Sequence, residues 1–256
     1  MKRILPLALV VSVGLVLAGC STTSSPTGTS PSSSAGSGSG SGSGSSSTVT
    51  SSYYPVAKGN TWVYTIDYGN GTIITDTEIM SKVVTDGTDA TVTIDRTFHY
   101  DDGSQKDLVS SVDYLFHADG SLEVPFQSVP SASGVVTVKS GTMVWPTTAE
   151  FEAGTAKTGT IVASVDSGGT TTNEQVDFNI AGAGTEDVTV KAGSYPAARK
   201  LAQMLTISLP DLGVSGIVVN VTTWLAKGVG PVKTEVPDSN GGASILQQLV
   251  SFTAGK

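Results

Sequence analysis

Between Thr61 and Tyr68 every second residue is aromatic or aliphatic. Trp62, Tyr64, Ile66 and Tyr68 project to one side of an extended chain, and Thr61, Val63, Thr65 and Asp67 to the other. A period of two belongs to a half-buried β-strand; on a helix, neighbours on one face recur every three or four residues. The same Thr-, Val- and Ile-rich alternation continues beyond it, punctuated by Asn70-Gly71, Asp86-Gly87, Asp102-Gly103 and Asp119-Gly120, at spacings of 16, 16 and 17 residues. Such dipeptides supply the positive φ angles of tight hairpin turns. Strands are therefore predicted at 61–68, 72–85, 90–100, 106–117 and 121–126, running as an antiparallel meander. The sequences between the turns do not resemble one another, so the regularity is geometric rather than a repeat.

Further strands are predicted at 134–145, 159–165, 171–180, 186–190, 195–209, 217–226, 229–236 and 244–252, with Gly168-Gly169 marking another hairpin. The last segment carries Ile245, Leu246, Leu249 and Val250 at helical spacing, but its β-branched neighbours and all-β context assign it to a strand. About a dozen strands cannot stay open and flat. The expected fold is all-β: residues 53–256 form one domain, a curved antiparallel sheet closing into a half-barrel or barrel-like meander. A sandwich is the alternative.

The N-terminus has a different character. Met1, Lys2 and Arg3 precede an apolar run from Ile4 to Ala18, the charged and hydrophobic regions of an export signal. The run is short of the roughly 20 apolar residues a spanning helix needs. It ends in Leu17-Ala18-Gly19-Cys20, which resembles the lipobox of bacterial lipoproteins. That resemblance implies a signal peptide at 1–19, cleavage between Gly19 and Cys20, and a diacylglyceryl group on the Cys20 thiol. Two or three acyl chains, each contributing about 0.8 kcal/mol per buried methylene, make release from a membrane negligible. Ser21, in place of an Asp after the lipidated cysteine, resembles the outer-membrane class of a Gram-negative cell; in a Gram-positive cell the same protein would sit on the outer face of the cytoplasmic membrane. Cys20 is the chain's single cysteine, which leaves none for disulfides or thiolate metal sites.

From Ser21 to Ser52 every residue except Ala35 and Val49 is Ser, Thr, Gly or Pro. Such a segment cannot bury enough apolar surface to offset its ordering entropy. Residues 20–52 are thus expected to be a lipidated cysteine and a disordered tether, with a typical end-to-end distance of about 30 Å.

Losing Lys2 and Arg3 with the signal leaves 12 basic residues against 22 acidic, a mature net charge of −10. Nucleic acid and anionic lipid both require clustered cations, and the densest basic stretch along the sequence is the pair Arg199-Lys200. No nucleic-acid partner is expected.

Three stretches carry a family resemblance: Tyr54-Pro55-Val56-Ala57-Lys58-Gly59-Asn60-Thr61-Trp62-Val63-Tyr64, then Val188-Thr189-Val190-Lys191-Ala192-Gly193-Ser194-Tyr195-Pro196-Ala197, then Trp224-Leu225-Ala226-Lys227-Gly228-Val229-Gly230-Pro231-Val232-Lys233. They resemble a group of bacterial lipoproteins and periplasmic proteins that open with a YYPxxxGNTW-Y segment and close with a W-AKGVG-VK hairpin. The resemblance implies a sheet similar to the curved half-barrels of the LolA/LolB type. It supplies no catalytic residue.

The chemical inventory is thin. His99 and His117, with Asp113 between them, could form a zinc or iron site only if their strands brought them together; mirroring across the turn near 103 places His99 opposite Lys106 or Asp107 and leaves His117 about ten residues away. Asp101-Asp102-Gly103-Ser104 with Asp107 lacks the alternate acids and terminal glutamate of a calcium loop. Glu150 and Glu152 are an accidental-looking acid pair rather than a glycosidase site. Trp62, Tyr64, Tyr68, Trp145 and Trp224 either line the concave side of the sheet as a ligand groove or fill its core; the core is the expected place, with Trp62 structural. The expected function is a non-catalytic, membrane-anchored lipoprotein, monomeric, without metal or cofactor, presenting a β-domain to a small hydrophobic, carbohydrate or protein ligand whose binding residues are unknown. A carrier of hydrophobic ligand of the LolA/LolB type and an envelope hydrolase with an unrecognised carboxylate site are the alternatives.

Overall fold

The alternation that begins at Thr61 is realised as strand β1 (Thr61–Asp67), with Trp62, Tyr64 and Ile66 buried and Thr61, Val63 and Thr65 half-buried. The computed structural model describes residues 53–103, 105–124, 130–131, 134–167, 169–238 and 242–255. The expected signal peptide at 1–19, Cys20 and the expected tether at 21–52 lie outside the described residues.

On one side β1 pairs with β2 (Ile73–Asp86), and that wing continues through β3 (Asp89–Tyr100), β4 (Leu108–Phe116) and β5 (Leu122–Val124) to β8 (Met143–Trp145). On the other side β1 pairs with β14 (Ile245–Thr253). That wing continues through β13 (Gly230–Val236), β12 (Val214–Ala226), β11 (Gly193–Leu209), β10 (Thr170–Val190), β9 (Lys157–Ser167) and β7 (Gly134–Ser140) to the two-residue β6 (Pro130–Ser131). Every pairing is antiparallel, and the curved sheet is not closed. The first and last strands are neighbours in its middle, and its two ends, β6 and β8, come from one short part of the chain. The all-β half-barrel expectation is met.

The dipeptide turns fall where they are predicted: Gly71, Gly87, Gly103 and Gly120 have φ of 92°, 62°, 66° and 83°. Three segments differ from expectation. The predicted strand at 134–145 is two strands, β7 and β8, paired into different wings. The predicted strands at 171–180 and 186–190 are one 21-residue strand, β10, which passes register shifts between Gly182 and Thr185 and between Glu186 and Val188. A short helix, α1 (Thr148–Ala153), stands where no element is expected. The segment 244–252, with its helical spacing, is strand β14.

The three stretches that carry the family resemblance are joined in space. β13 last pairs with β14 at Lys233 and Gln248; beyond that point the β12–β13 turn reaches the inner side of β1. Trp62 Nε1 donates to the Val229 carbonyl at 2.6 Å, and Tyr64 Oη donates to the Pro231 carbonyl at 3.1 Å. The β10–β11 hairpin overruns its last pair with β12, Arg199 with Leu225, and its tip reaches β14, where Ala192 N donates to Leu249 O at 3.1 Å. Asn60 ties the entry segment to the chain end, donating to Pro55 O at 2.9 Å and accepting from Gly255 N at 2.7 Å.

A bulge in β14 adds to this. Val63 faces Ser251 while Tyr64 faces Leu249, so Val250 is the extra residue and the parity of β14 flips. Phe252 thereby stacks on Trp62, ring centroids 5.3 Å apart. The aromatic row of β1 is core: Trp62 is 0% exposed. Trp224 is also buried, 5% exposed, but on the other face of the sheet. It projects opposite Thr223, with Lys233 Nζ 4.2 Å and Lys200 Nζ 5.7 Å from its ring and its Nε1 donating to Glu186 Oε2 at 3.3 Å.

Truncating Trp62 to Ala is expected to destabilise the domain by about 3–5 kcal/mol, the range for large aromatic deletions in packed cores. Trp62→Phe, which keeps the ring but leaves the Val229 carbonyl unpaired, should cost about 1–3 kcal/mol. Urea unfolding of the mature chain reads both. A Trp62→Ala midpoint near the parent's would mean the ring lines a groove instead.

Candidate functional site

Strand β8 ends at Trp145, and Pro146-Thr147 turn the chain into α1. Thr147 Oγ1 accepts from Glu150 N at 3.1 Å while Glu150 Oε2 accepts from Thr147 N at 3.0 Å, a reciprocal capping box. Six residues are too few to be helical alone; placement holds them. Thr148 N donates to Asp119 O at 3.2 Å on the β4–β5 turn, and a Cβ on Gly120 would lie 2.3 Å from Thr148 Oγ1. At the other end the helix rests on β10, where a Cβ on Gly182 would come within 2.0 Å of the Phe151 carbonyl. Glu152 pairs with Arg199 of β11 at 3.1 Å. The helix therefore bridges the two wings across the seam of the half-barrel.

Beneath it, Tyr53, Tyr54, Phe116, Leu122, Trp145 and Phe151 line a cavity of about 30 Å³. Trp145 is 8% exposed, and its Nε1 has no acceptor among the described residues. A buried indole N–H ordinarily has a partner, so the wall of the seam holds one unmet donor among aromatic rings. The space takes one or two water molecules. A drug-sized ligand needs roughly 300–1,000 Å³, so anything larger enters only when α1 moves.

A second cluster lies inside the sheet on β2, β3 and β4. Asp76, Glu78 and Arg96 are 0%, 4% and 3% exposed. Arg96 sits directly opposite Glu78 on one neighbour and Ser110 on the other. Its guanidinium pairs with Asp76 and, at 2.9 Å, with Glu78. Asp76 Oδ1, Arg96 Nε and Ser110 Oγ have no partner among the described residues. Two carboxylates against one guanidinium leave an excess negative charge in a place poor in water. Burial, reinforced by the Asp76 carboxylate and opposed by Arg96, lifts Glu78 to about 7; burial also raises Asp76. Burial works against the Arg96 charge, but the two acids outweigh it and raise its pKa. Tyr54, Tyr64 and Tyr114 surround the cluster and are raised chiefly by burial, Tyr114 to about 12.

The residues weighed from the sequence are dispersed. His99 bonds Asp107 at 2.8 Å at one end of the β3–β4 ladder. His117 bonds Asp89 at 2.9 Å and Glu123 at 3.2 Å at the other end. Asp113 accepts from Thr93. Asp101 accepts from Thr75 beside the Gly103 turn. Glu150 is the capping residue and pairs with Lys157 at 2.8 Å, so Glu150 and Glu152 each have a structural partner. Sequence reasoning passes over Phe151, Asp76, Glu78 and Arg96. The Thr147-x-x-Glu150 box could have revealed α1, and the parity of Asp76 and Glu78 with Ile74 and Met80 could have placed both acids inside.

Because the folded state holds the Glu78 proton more tightly than the unfolded chain, the associated stability is complete below the ordinary carboxylate range and is lost as pH rises through about 7. Asp76 has the same sign. So does His117, where the bonds to Asp89 and Glu123 outweigh burial and raise the pKa. The mature chain should therefore be more stable at pH 5 than at pH 8. Glu78→Gln should flatten that difference by on the order of a few kcal/mol; urea midpoints of parent and variant at both pH values measure it, and parallel profiles would exclude Glu78 as the source.

No protein-family model matches the chain, and no curated protein matches its sequence. Two solved structures share its fold. A protein of Bacteroides fragilis, described as exported and of YmcC-like fold, superposes with a TM-score of 0.56 at 14% identity, over 79% of this chain and 99% of that one. A protein of Parabacteroides distasonis, described as a lipoprotein, superposes with a TM-score of 0.60 at 16% identity, over the same shares. At these identities the likeness is one of fold, and neither description refers to LolA or LolB.

Proposed function

We propose that this chain is a lipid-anchored envelope protein that acts by binding rather than by catalysis, with Cys20 as its anchor, residues 21–52 as its spacer and the seam beneath α1 as its binding place. In a Gram-negative cell the anchor would lie in the outer membrane. The observation that carries the binding reading is Trp145: a nine-tenths-buried indole N–H without an acceptor among the described residues, in an aromatic cavity closed by a helix too short to stand alone. Such a site fits an apolar group bearing one hydrogen-bond acceptor. The lipobox Leu17-Ala18-Gly19-Cys20 supports the anchor, and the descriptions of both structural neighbours accord with export. A carrier of the LolA/LolB type is the second reading, favoured by a helix lying across the open seam of a half-barrel; it requires α1 to lift, since about 30 Å³ does not admit an acyl chain.

For the anchor, the chain expressed in a bacterial host should partition into detergent, and Cys20→Ser should abolish acylation and leave an uncleaved or soluble form. A Ser variant that partitions like the parent would overturn the anchor. For the seam, Trp145→Phe keeps the ring and removes the donor. It should leave the Tm within a few degrees of the parent while weakening uptake of a fluorescent medium-chain fatty acid, which enters with α1 lifted, by about tenfold, the worth of one hydrogen bond. Equal uptake by parent and variant would remove the seam from consideration. Gly182→Ala, which displaces α1, should increase uptake if the protein is a carrier.

A further inference from the structure

The sequence contains no cluster of cations, but the fold assembles one at the end where the tether enters. Lys58 lies on the turn before β1, Lys191 at the tip of the β10–β11 hairpin, and Lys227 on the β12–β13 turn; all three are exposed. These turns converge. The Val229 carbonyl receives Trp62, Ala192 N reaches Leu249 on β14, and a Cβ on Gly230 would lie 3.8 Å from the Tyr53 carbonyl. A Cβ on Gly255 would lie 2.1 Å from the Lys58 carbonyl, which brings the chain end to the same rim. The chain enters the domain at this rim through Tyr53.

Four other cations of this end are matched, and Lys82, exposed on β2, belongs to the other wing. Lys157 pairs with Glu150, Arg199 with Glu152, Lys200 with Glu186 and Lys233 with Glu235. Among the described residues no carboxylate forms an ion pair with Lys58, Lys191 or Lys227. The rim's remaining acids include Asp86 and Asp119 on the other wing, and Asp187, which accepts from Ala197 N. The opposite end is different: Asp67, Asp101, Asp107, Asp166 and Asp211 occupy its turns, with Lys106 as a cation among them. Along the seven residues of β1 the two ends are about 20 Å apart, more than twice the Debye length of about 8 Å at physiological salt.

We propose that the rim carrying Lys58, Lys191 and Lys227 is the face this protein lays on an anionic lipid surface, with its acidic end turned away from the membrane. The inference rests on the lipid anchor at Cys20. Net charge alone would repel the domain, but screening removes the far acids from the balance when the rim faces down, and of the rim's own acids without an ion pair only Asp187 shares the wing of Lys191 and Lys227. Each lysine close to an anionic leaflet favours contact by about fivefold, and three set against Asp187 give on the order of thirtyfold. Confining a domain with a tether reach of about 30 Å to a contact layer about 8 Å deep costs only a few-fold. The charge term therefore wins, and the tethered domain rests rim-down rather than floating.

The test uses the full lipidated chain in vesicles of phosphatidylcholine alone or with about 30% phosphatidylglycerol, the lipid that carries the surface charge. After flotation, amine-reactive labelling is read residue by residue by mass spectrometry, with exposed Lys106 at the opposite end as the internal reference. Lys58, Lys191 and Lys227 should label at least several-fold more slowly, relative to Lys106, on the anionic vesicles. The protection should vanish in about 0.5 M salt, where screening is nearly complete. Equal relative rates on both vesicles, or protection that persists in salt, would overturn the proposal while leaving the anchor standing. A chain that does not float has no anchor, and both readings then fall.

Discussion

The architecture depends on one arrangement: an indole and a phenol from the first strand each donate a hydrogen bond to a backbone carbonyl 167 residues away, Trp62 to Val229 and Tyr64 to Pro231. Both side chains are almost fully withdrawn from water. Their polar atoms therefore require partners, and a buried group without one costs about 1–3 kcal/mol. The β12–β13 turn supplies those partners only by leaving β14, and the place where it leaves is where the β10–β11 tip bonds to Leu249. One requirement for hydrogen-bond partners thus accounts for the mutual positions of three hairpins, and for why the most recognisable stretches of the sequence are structural rather than chemical.

Much of this was legible in advance, for local reasons. Asn70-Gly71, Asp86-Gly87, Asp102-Gly103 and Asp119-Gly120 specify turns through their own backbone preferences, and Trp62 and Tyr64 declare their side of β1 by alternation. What was hidden depends on partners distant in sequence. Gly182 and Gly184 look like a break between strands, yet β10 runs through them because Gly182 makes room for the carbonyl of Phe151. Trp224 reads as concave by its company, but it alternates with the inward-facing Val221 and Thr223 of β12, so its ring is buried on the other face of the sheet, covered by two lysines. Asp76 and Glu78 look like solvated positions until Arg96, 20 residues from Asp76, turns out to occupy the same interior. The seam was less readable still, since Tyr53, Phe116 and Phe151 come to line one cavity only when the sheet curls.

The interior combines two regimes that pull on stability differently. Around Trp62, Phe116 and Leu249 it is apolar and close-packed. On β2 and β3 it holds an ion cluster whose extra carboxylate favours a proton near neutrality. A buried ion group of this kind is seldom a net source of stability compared with apolar residues of the same size. Tyr54 joins the two regions, lining the seam and standing beside the ion cluster.

The pairing of first and last strands in the middle of the sheet has a kinetic consequence. Strand β1 has β2 available early, but its other edge stays unsatisfied until Ile245–Thr253 has been delivered, and the indole of Trp62 waits nearly as long for Val229. Contacts of such sequence separation close slowly. A chain emerging N-terminus first would therefore be held by its leading end while an open edge of alternating aromatics stood exposed to its neighbours. For this topology the hazardous moment is the interval between emergence and closure, when an unpaired β1 can take a strand from another copy in place of its own β14.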